Sequence, residues 1–163
     1  MSSDDKTLWW VIGLGALAAV MWWYATKFVR DVATSAEAWT PPASPDSEAE
    51  LQASLAAHLR RTLPATAAVM EEFGAERSKA DIVVLSAQTS GTTYVERVAI
   101  ELKYRLRRKE DLDRLVGQVV GYKSQQYERV MVVSVDPEPT LHEVLKKRAK
   151  VAGLSGYMMV LAK

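Results

Sequence analysis

The sequence predicts an α/β domain: a mixed β-sheet flanked by helices, in the order α-β-β-β-α-β-α-β, preceded by one transmembrane helix. Three observations carry that expectation. Strand-like and helix-like periodicities alternate along the second half of the chain, the pattern of strands joined by helical crossovers. An uncharged, mostly apolar run, Leu8–Ala25, stands apart near the N-terminus. Between the two lies a small, polar stretch containing Pro41, Pro42 and Pro45.

As a helix, Leu8–Ala25 rises roughly 25 Å at ~1.5 Å per residue, close to the thickness of a thin hydrocarbon core. Trp9 and Trp10 at one end and Trp22, Trp23 and Tyr24 at the other suit the two water interfaces. The leader carries Asp4 and Asp5 against Lys6, whereas a signal peptide opens on basic charge. The apolar residues also cover every face rather than one stripe. Residues 1–30 are therefore read as a membrane anchor. Lys27 and Arg30 follow the run and only Lys6 precedes it, which places the C-terminal part in the cytoplasm. Residues 31–46 read as a Pro-rich tether without a core, and residues 47–163 as the folded domain.

Within that domain, Ser47-Glu48-Ala49-Glu50 precedes Leu51, Leu55 and Leu59, an amphipathic helix that ends before Pro64. Ala65–Phe73 and Ala80–Ser86 read as two strands, and Gln88–Thr93, with Gly91, as a turn. Tyr94–Arg107 has the longest alternation of period two: Val98, Ile100, Leu102, Tyr104 and Leu106 on one face, Ala99, Glu101, Lys103, Arg105 and Arg107 on the other. Asp111 has the chemistry of a helix cap ahead of Leu112, Leu115, Val116 and Val119. Arg129–Val135 is an apolar strand stopped by Asp136-Pro137. Leu141–Val151 is a helix ended by Gly153, and Tyr157–Leu161 a last strand.

A length of 163 residues suits one modest domain plus an accessory segment. With a formal net charge of +1, any affinity for nucleic acid must come from local clusters. The absence of cysteine excludes disulfides, thiolate zinc sites, iron–sulfur clusters and a cysteine nucleophile, leaving oxygen and imidazole ligands.

The residues that carry chemistry are polar ones in apolar strands. Asp81 opens Ile82-Val83-Val84-Leu85, and Glu101-Leu102-Lys103 lies inside the long strand. Two carboxylates and an ammonium are costly to bury. They are also what metal-assisted phosphodiester hydrolysis needs, since magnesium favours a few carboxylate oxygens with the remaining positions left to water and phosphate. Residues 101 and 103 point to one side, so Lys103 can stand beside a water that Glu101 helps position, and the Leu102 carbonyl offers a third ligand.

Asp81 followed by Glu101-Leu102-Lys103, in this element order, resembles the PD-(D/E)xK nucleases of the restriction-endonuclease-like fold. Gln118-Val119-Val120-Gly121-Tyr122 is similar to the Q-x-x-x-Y motif of their RecB-like branch, and its spacing puts Gln118 and Tyr122 on one helical face. The resemblance implies a Mg²⁺ or Mn²⁺ ion held by Asp81, Glu101 and Leu102, water activation near Lys103, and positioning by Gln118 and Tyr122. It also implies a ligand from the first helix, for which Glu50, Glu48 and His58 qualify, with Glu50 favoured. Ala80 stands where many members have proline.

Lys103, Arg105, Arg107, Arg108 and Lys109 continue off the catalytic face and are the expected contacts to DNA phosphates; Lys146, Lys147, Arg148 and Lys150 form a second basic group. The expected function is a membrane-anchored, metal-dependent nuclease acting on DNA. The rival is a catalytically inactive nuclease-fold module that tethers DNA or a protein at the membrane. Oligomeric state stays open, a homodimer included.

Overall fold

A computed structural model describes residues 27–73, 79–86, 96–154 and 156–163. The expected anchor Leu8–Ala25 and the turn Gln88–Thr93 lie outside the described residues. Among the described residues no helix is long and apolar enough to cross a membrane.

The chain forms a five-stranded mixed sheet and four helices. Helix α1 is described over residues 27–38 and α2 over Glu48–Thr62. Strands β1 (Ala67–Phe73), β2 (Ala80–Ser86) and β3 (Arg97–Tyr104) follow, then α3 (Lys109–Ser124), β4 (Arg129–Val135), α4 (Pro139–Val151) and β5 (Met158–Ala162). The strands lie side by side in chain order. β1, β2 and β3 are antiparallel neighbours, whereas β3, β4 and β5 are parallel, because α3 and α4 return the chain to the starting end of the sheet.

Side-chain alternation on the central strands divides the core into two layers. Ile82, Val84, Ile100, Leu102, Met131 and Val133 meet Leu51, Leu55 and Leu59 of α2 together with α1. Val83, Ala99, Val130 and Val132 meet Leu112, Leu115, Val119 and Tyr122 of α3 and Leu141 and Leu145 of α4. The last helix stops at Gly153, whose φ of +69° suits the C′ position: Gly153 N–H donates to the Lys150 carbonyl at 3.1 Å and Leu154 N–H to the Ala149 carbonyl at 2.8 Å.

Three expectations are corrected. Residues 31–38 are not a tether but helix, and Val32, Ala33, Ala36 and Trp39 are buried in the first layer. Their recurrence every three or four residues makes a stripe, narrow because it is built of small side chains, and Trp39 Nε1 anchors its end by donating to Ser54 Oγ at 3.2 Å. The long strand ends at Tyr104 rather than Arg107. Arg105 takes a φ of +53°, which breaks the alternation, so Leu106 turns into the second layer and away from Leu102. Asp111 does not cap α3. The cap is Arg108, which contributes no side-chain bond, and Asp111 instead joins Glu110 in the first turn, where negative charge complements the helix dipole.

Candidate active site

The β2–β3 ladder stops at the pair Ile82–Ile100. One residue further along this register, Asp81 and Glu101 stand across from each other on the α3 side. Like charges placed directly opposite on neighbouring strands repel. β3 remains paired with β4 through Tyr104–Val135, so beyond Ile100 it has one paired edge and one that β2 no longer covers. Carboxylates take over on that open edge. Leu102 N–H donates to Asp81 Oδ2 at 2.7 Å, and Tyr104 N–H to Glu48 Oε2 at 3.1 Å. The Asp81 carbonyl accepts from Gln52 Nε2 of α2 at 2.8 Å. Backbone groups that would otherwise be orphaned therefore hold the acidic side chains in place.

Glu101 is 1% exposed. Its Oε1 lies 2.8 Å from Lys103 Nζ, and its Oε2 accepts from the Tyr122 hydroxyl at 2.7 Å. That hydroxyl also lies 2.8 Å from the Lys79 carbonyl, so a single proton serves two acceptors. Lys103 Nζ reaches Glu48 Oε1 at 3.4 Å as well.

Electrostatics follow from this packing. Burial, reinforced by repulsion from Glu101, raises the Asp81 pKa from 3.8 to about 6, against the opposing pull of the Leu102 hydrogen bond and Lys103. For Lys103, burial disfavours the ammonium, but Glu101, Asp81 and Glu48 together outweigh it, and its pKa ends above the ordinary lysine value. Lys103 is thus a charged donor at neutral pH. Burial first, then the Glu101 carboxylate, raises the Tyr122 phenol, which stays protonated as a donor.

Beside these groups opens a cleft of about 330 Å³, lined among others by Glu48, Lys103, Arg105, Asp111, Arg114 and Gln118. Gln118 Oε1 is buried and has no hydrogen-bond partner among the described residues. Gln118 and Tyr122 therefore split one helical face between cleft and core. The Tyr122 ring is fully buried against Tyr127, and only its hydroxyl reaches the site.

The structure brings Asp81, Glu101, Lys103, Gln118 and Tyr122 together, with the Leu102 backbone between them. Glu50 is a correction. It sits at the third position of α2, where Ser47 Oγ accepts its N–H at 3.2 Å and its Oε2 accepts the Asp46 N–H at 2.8 Å. Glu48, two residues earlier, is the α2 carboxylate that faces the site. His58 lies elsewhere, 3.0 Å from the Ser35 carbonyl. Of the expected phosphate contacts, Arg105 and Arg107 pair with Asp136 at 3.7 and 2.7 Å, while Arg108 and Lys109 are exposed at the start of α3. The second basic group is partly neutralised, since Lys146 pairs with Glu143 and Arg148 with Asp113. Gln52 and Arg114 were not anticipated. Each lies four residues from a recognised position, Glu48 and Gln118, on the same helical face.

Replacing Tyr122 with phenylalanine keeps the packed ring but strips Glu101 Oε2 and the Lys79 carbonyl of their donor. A loss of about 1.5–3 kcal/mol is expected, the range for hydrogen bonds to charged groups. Urea denaturation with an unchanged slope checks it.

No model of a known protein family matches this chain, and no curated protein matches it in sequence.

Proposed function

We propose that the chain is a membrane-anchored, divalent-metal-dependent nuclease of the PD-(D/E)xK type, hydrolysing DNA phosphodiester bonds. The observation that carries this reading is the convergence of Asp81, Glu101 and Lys103 at the point where β2 and β3 part.

The donors fit a hard cation. Asp81 and Glu101 supply carboxylate oxygens, each carboxylate keeps lone pairs beyond its present bonds, and their mutual repulsion is what a dication cancels. The Leu102 carbonyl shares the open edge of β3 with its N–H and would complete the set. A Mg²⁺ or Mn²⁺ ion held there would supply charge neutralisation for the phosphate and would acidify the attacking water. Lys103, already protonated, donates to that water or to a phosphate oxygen rather than removing a proton. Tyr122 fixes Glu101 and is a positioning residue. Arg105 and Arg114 line the cleft, and Arg108 and Lys109 are exposed at the start of α3, with charge suited to the DNA backbone. The apolar run Leu8–Ala25 supports attachment to a membrane.

The alternative is a catalytically inactive nuclease-fold module that tethers DNA or a partner protein at the membrane. Full-length protein in detergent, incubated with supercoiled plasmid or with RNA of matched length, separates the two. Nicked or linear DNA is expected with Mg²⁺ or Mn²⁺, and none with EDTA. Salt-sensitive DNA binding that survives chelation without any cleaved product would establish the tether instead.

A further inference from the structure

Helix α1 fixes where the chain enters the domain. Its first described turn lies at the N-terminal ends of β4 and β5, where Val29 lines a largely apolar groove of about 300 Å³ with Arg129, Met131, Tyr157, Met158 and Met159. Its last turn lies at the other end of β5, where Lys163 Nζ donates to the Glu37 carbonyl. Ala25 and Val29 are four residues apart, so the end of the apolar run lies within about 14 Å of the groove whatever conformation the chain takes between them.

That end of the domain has the chemistry of a bilayer contact. Met159 is 37% exposed, and Tyr157 offers an aromatic body with Lys123 Nζ 5.9 Å from its ring centre. Arg30, Lys123 and Arg129 have no salt bridge among the described residues, with Glu128 as an acidic neighbour. Apolar groove, aromatic and cations without a salt bridge among the described residues together match an interface of acyl chains and anionic headgroups.

We propose that the face carrying Val29, Arg129, Tyr157 and Met159 lies against an anionic lipid bilayer, so that the cleft beside Asp81, Glu101 and Lys103 opens away from the membrane. The proposal rests on Leu8–Ala25 being the anchor. The cleft lies at the C-terminal ends of β3 and β4, where Tyr104 pairs with Val135, six residues along from the pair Val98–Arg129. Six strand residues span ~20 Å. That exceeds two Debye lengths at ~8 Å each in physiological salt, so a nucleic-acid chain in the cleft escapes the repulsion of lipid phosphates.

The chain has no cysteine, so Met159→Cys and Lys109→Cys each give one labelling site in the full-length protein. Each labelled variant is reconstituted into phosphatidylglycerol–phosphatidylcholine vesicles carrying a nitroxide-headgroup quencher. Quenching at position 159 is expected to exceed that at position 109 several-fold, and to weaken when phosphatidylglycerol is replaced by phosphatidylcholine. Equal or stronger quenching at position 109 in protein that floats with the vesicles overturns the orientation and leaves the anchor intact. No change on removing phosphatidylglycerol overturns the anionic contact. Protein that fails to float removes the anchor and the proposal with it, whereas plasmid nicking by the unsubstituted protein in the same vesicles reports on the catalytic reading alone.

Discussion

Replacing Asp81 with asparagine is expected to cut metal-dependent cleavage by orders of magnitude while making the metal-free protein more stable above pH 6. The two effects share one cause. Asp81 is held where burial and Glu101 oppose its charge, and its pKa in the folded chain lies at about 6 rather than 3.8. Between those values the folded chain binds a proton that the unfolded chain has released, so stability falls as pH rises through this window and stays reduced above it. The shift corresponds to at most about 3 kcal/mol. Asparagine keeps an oxygen to accept the Leu102 N–H and carries no charge, so that penalty disappears. For a chain of this length the gain is roughly 5–10 °C in Tm near neutral pH. Below pH 4 the two proteins should melt together. Thermal denaturation across pH 4–7.5 in EDTA measures the divergence, and parallel curves would falsify the assignment of Asp81 as a strained carboxylate. Mg²⁺ should stabilise the parent protein and not the variant, by about 2.7 kcal/mol at a hundredfold excess over Kd. Cleavage by the variant should fall about 10³-fold, the scale of losing one charged contact to a transition state.

The acidic pair was legible in the sequence because strand alternation is rigid. Once residues 101 and 103 share a side, a neighbouring strand opening with Asp81 has little freedom in where its carboxylate points. The choice between Glu48 and Glu50 was harder, since both lie in the first turn of α2. The deciding signal was present: Glu48 continues the buried stripe of Leu51, Leu55 and Leu59 at spacings of three and four, whereas Glu50 stands three residues after Ser47, where a cap needs it. Helix α1 was obscured because small side chains make a faint stripe and three nearby prolines dominate the composition. The left-handed backbone at Arg105 and Asp136 had no legible signal. These residues sit side by side where β3 and β4 end, and that pairing is tertiary: Arg105 N–H donates to the Val135 carbonyl while its guanidinium lies 3.7 Å from Asp136. The break that sends Leu106 into the opposite layer is therefore a product of neighbouring strands, not of local propensity.

Replacing Lys103 with methionine is expected to lower stability where the Asp81 substitution raises it, although both remove cleavage. Methionine preserves the apolar stem but takes the ammonium away from Glu101, which is 1% exposed and faces a second carboxylate. Breaking such a pair strands a buried charge at a cost of ~3–5 kcal/mol, and the partial exposure of Lys103 favours the lower end. The double variant then isolates the coupling. With the ammonium gone, Asp81 and Glu101 repel without compensation, so Asp81→Asn should gain more in the Lys103→Met background than alone, by about 1–2 kcal/mol. Additive effects would mean that the three groups do not share one electrostatic site. The rate profile makes the same point about chemistry. Because its surroundings keep Lys103 protonated, the parent rate should rise only through ionisation of Asp81 and level off by about one unit above its pKa of about 6. A rate that kept climbing towards alkaline pH would require the free amine as base, and Lys103→Arg, which keeps the charge but cannot give up the proton, would then be inactive rather than partly rescued.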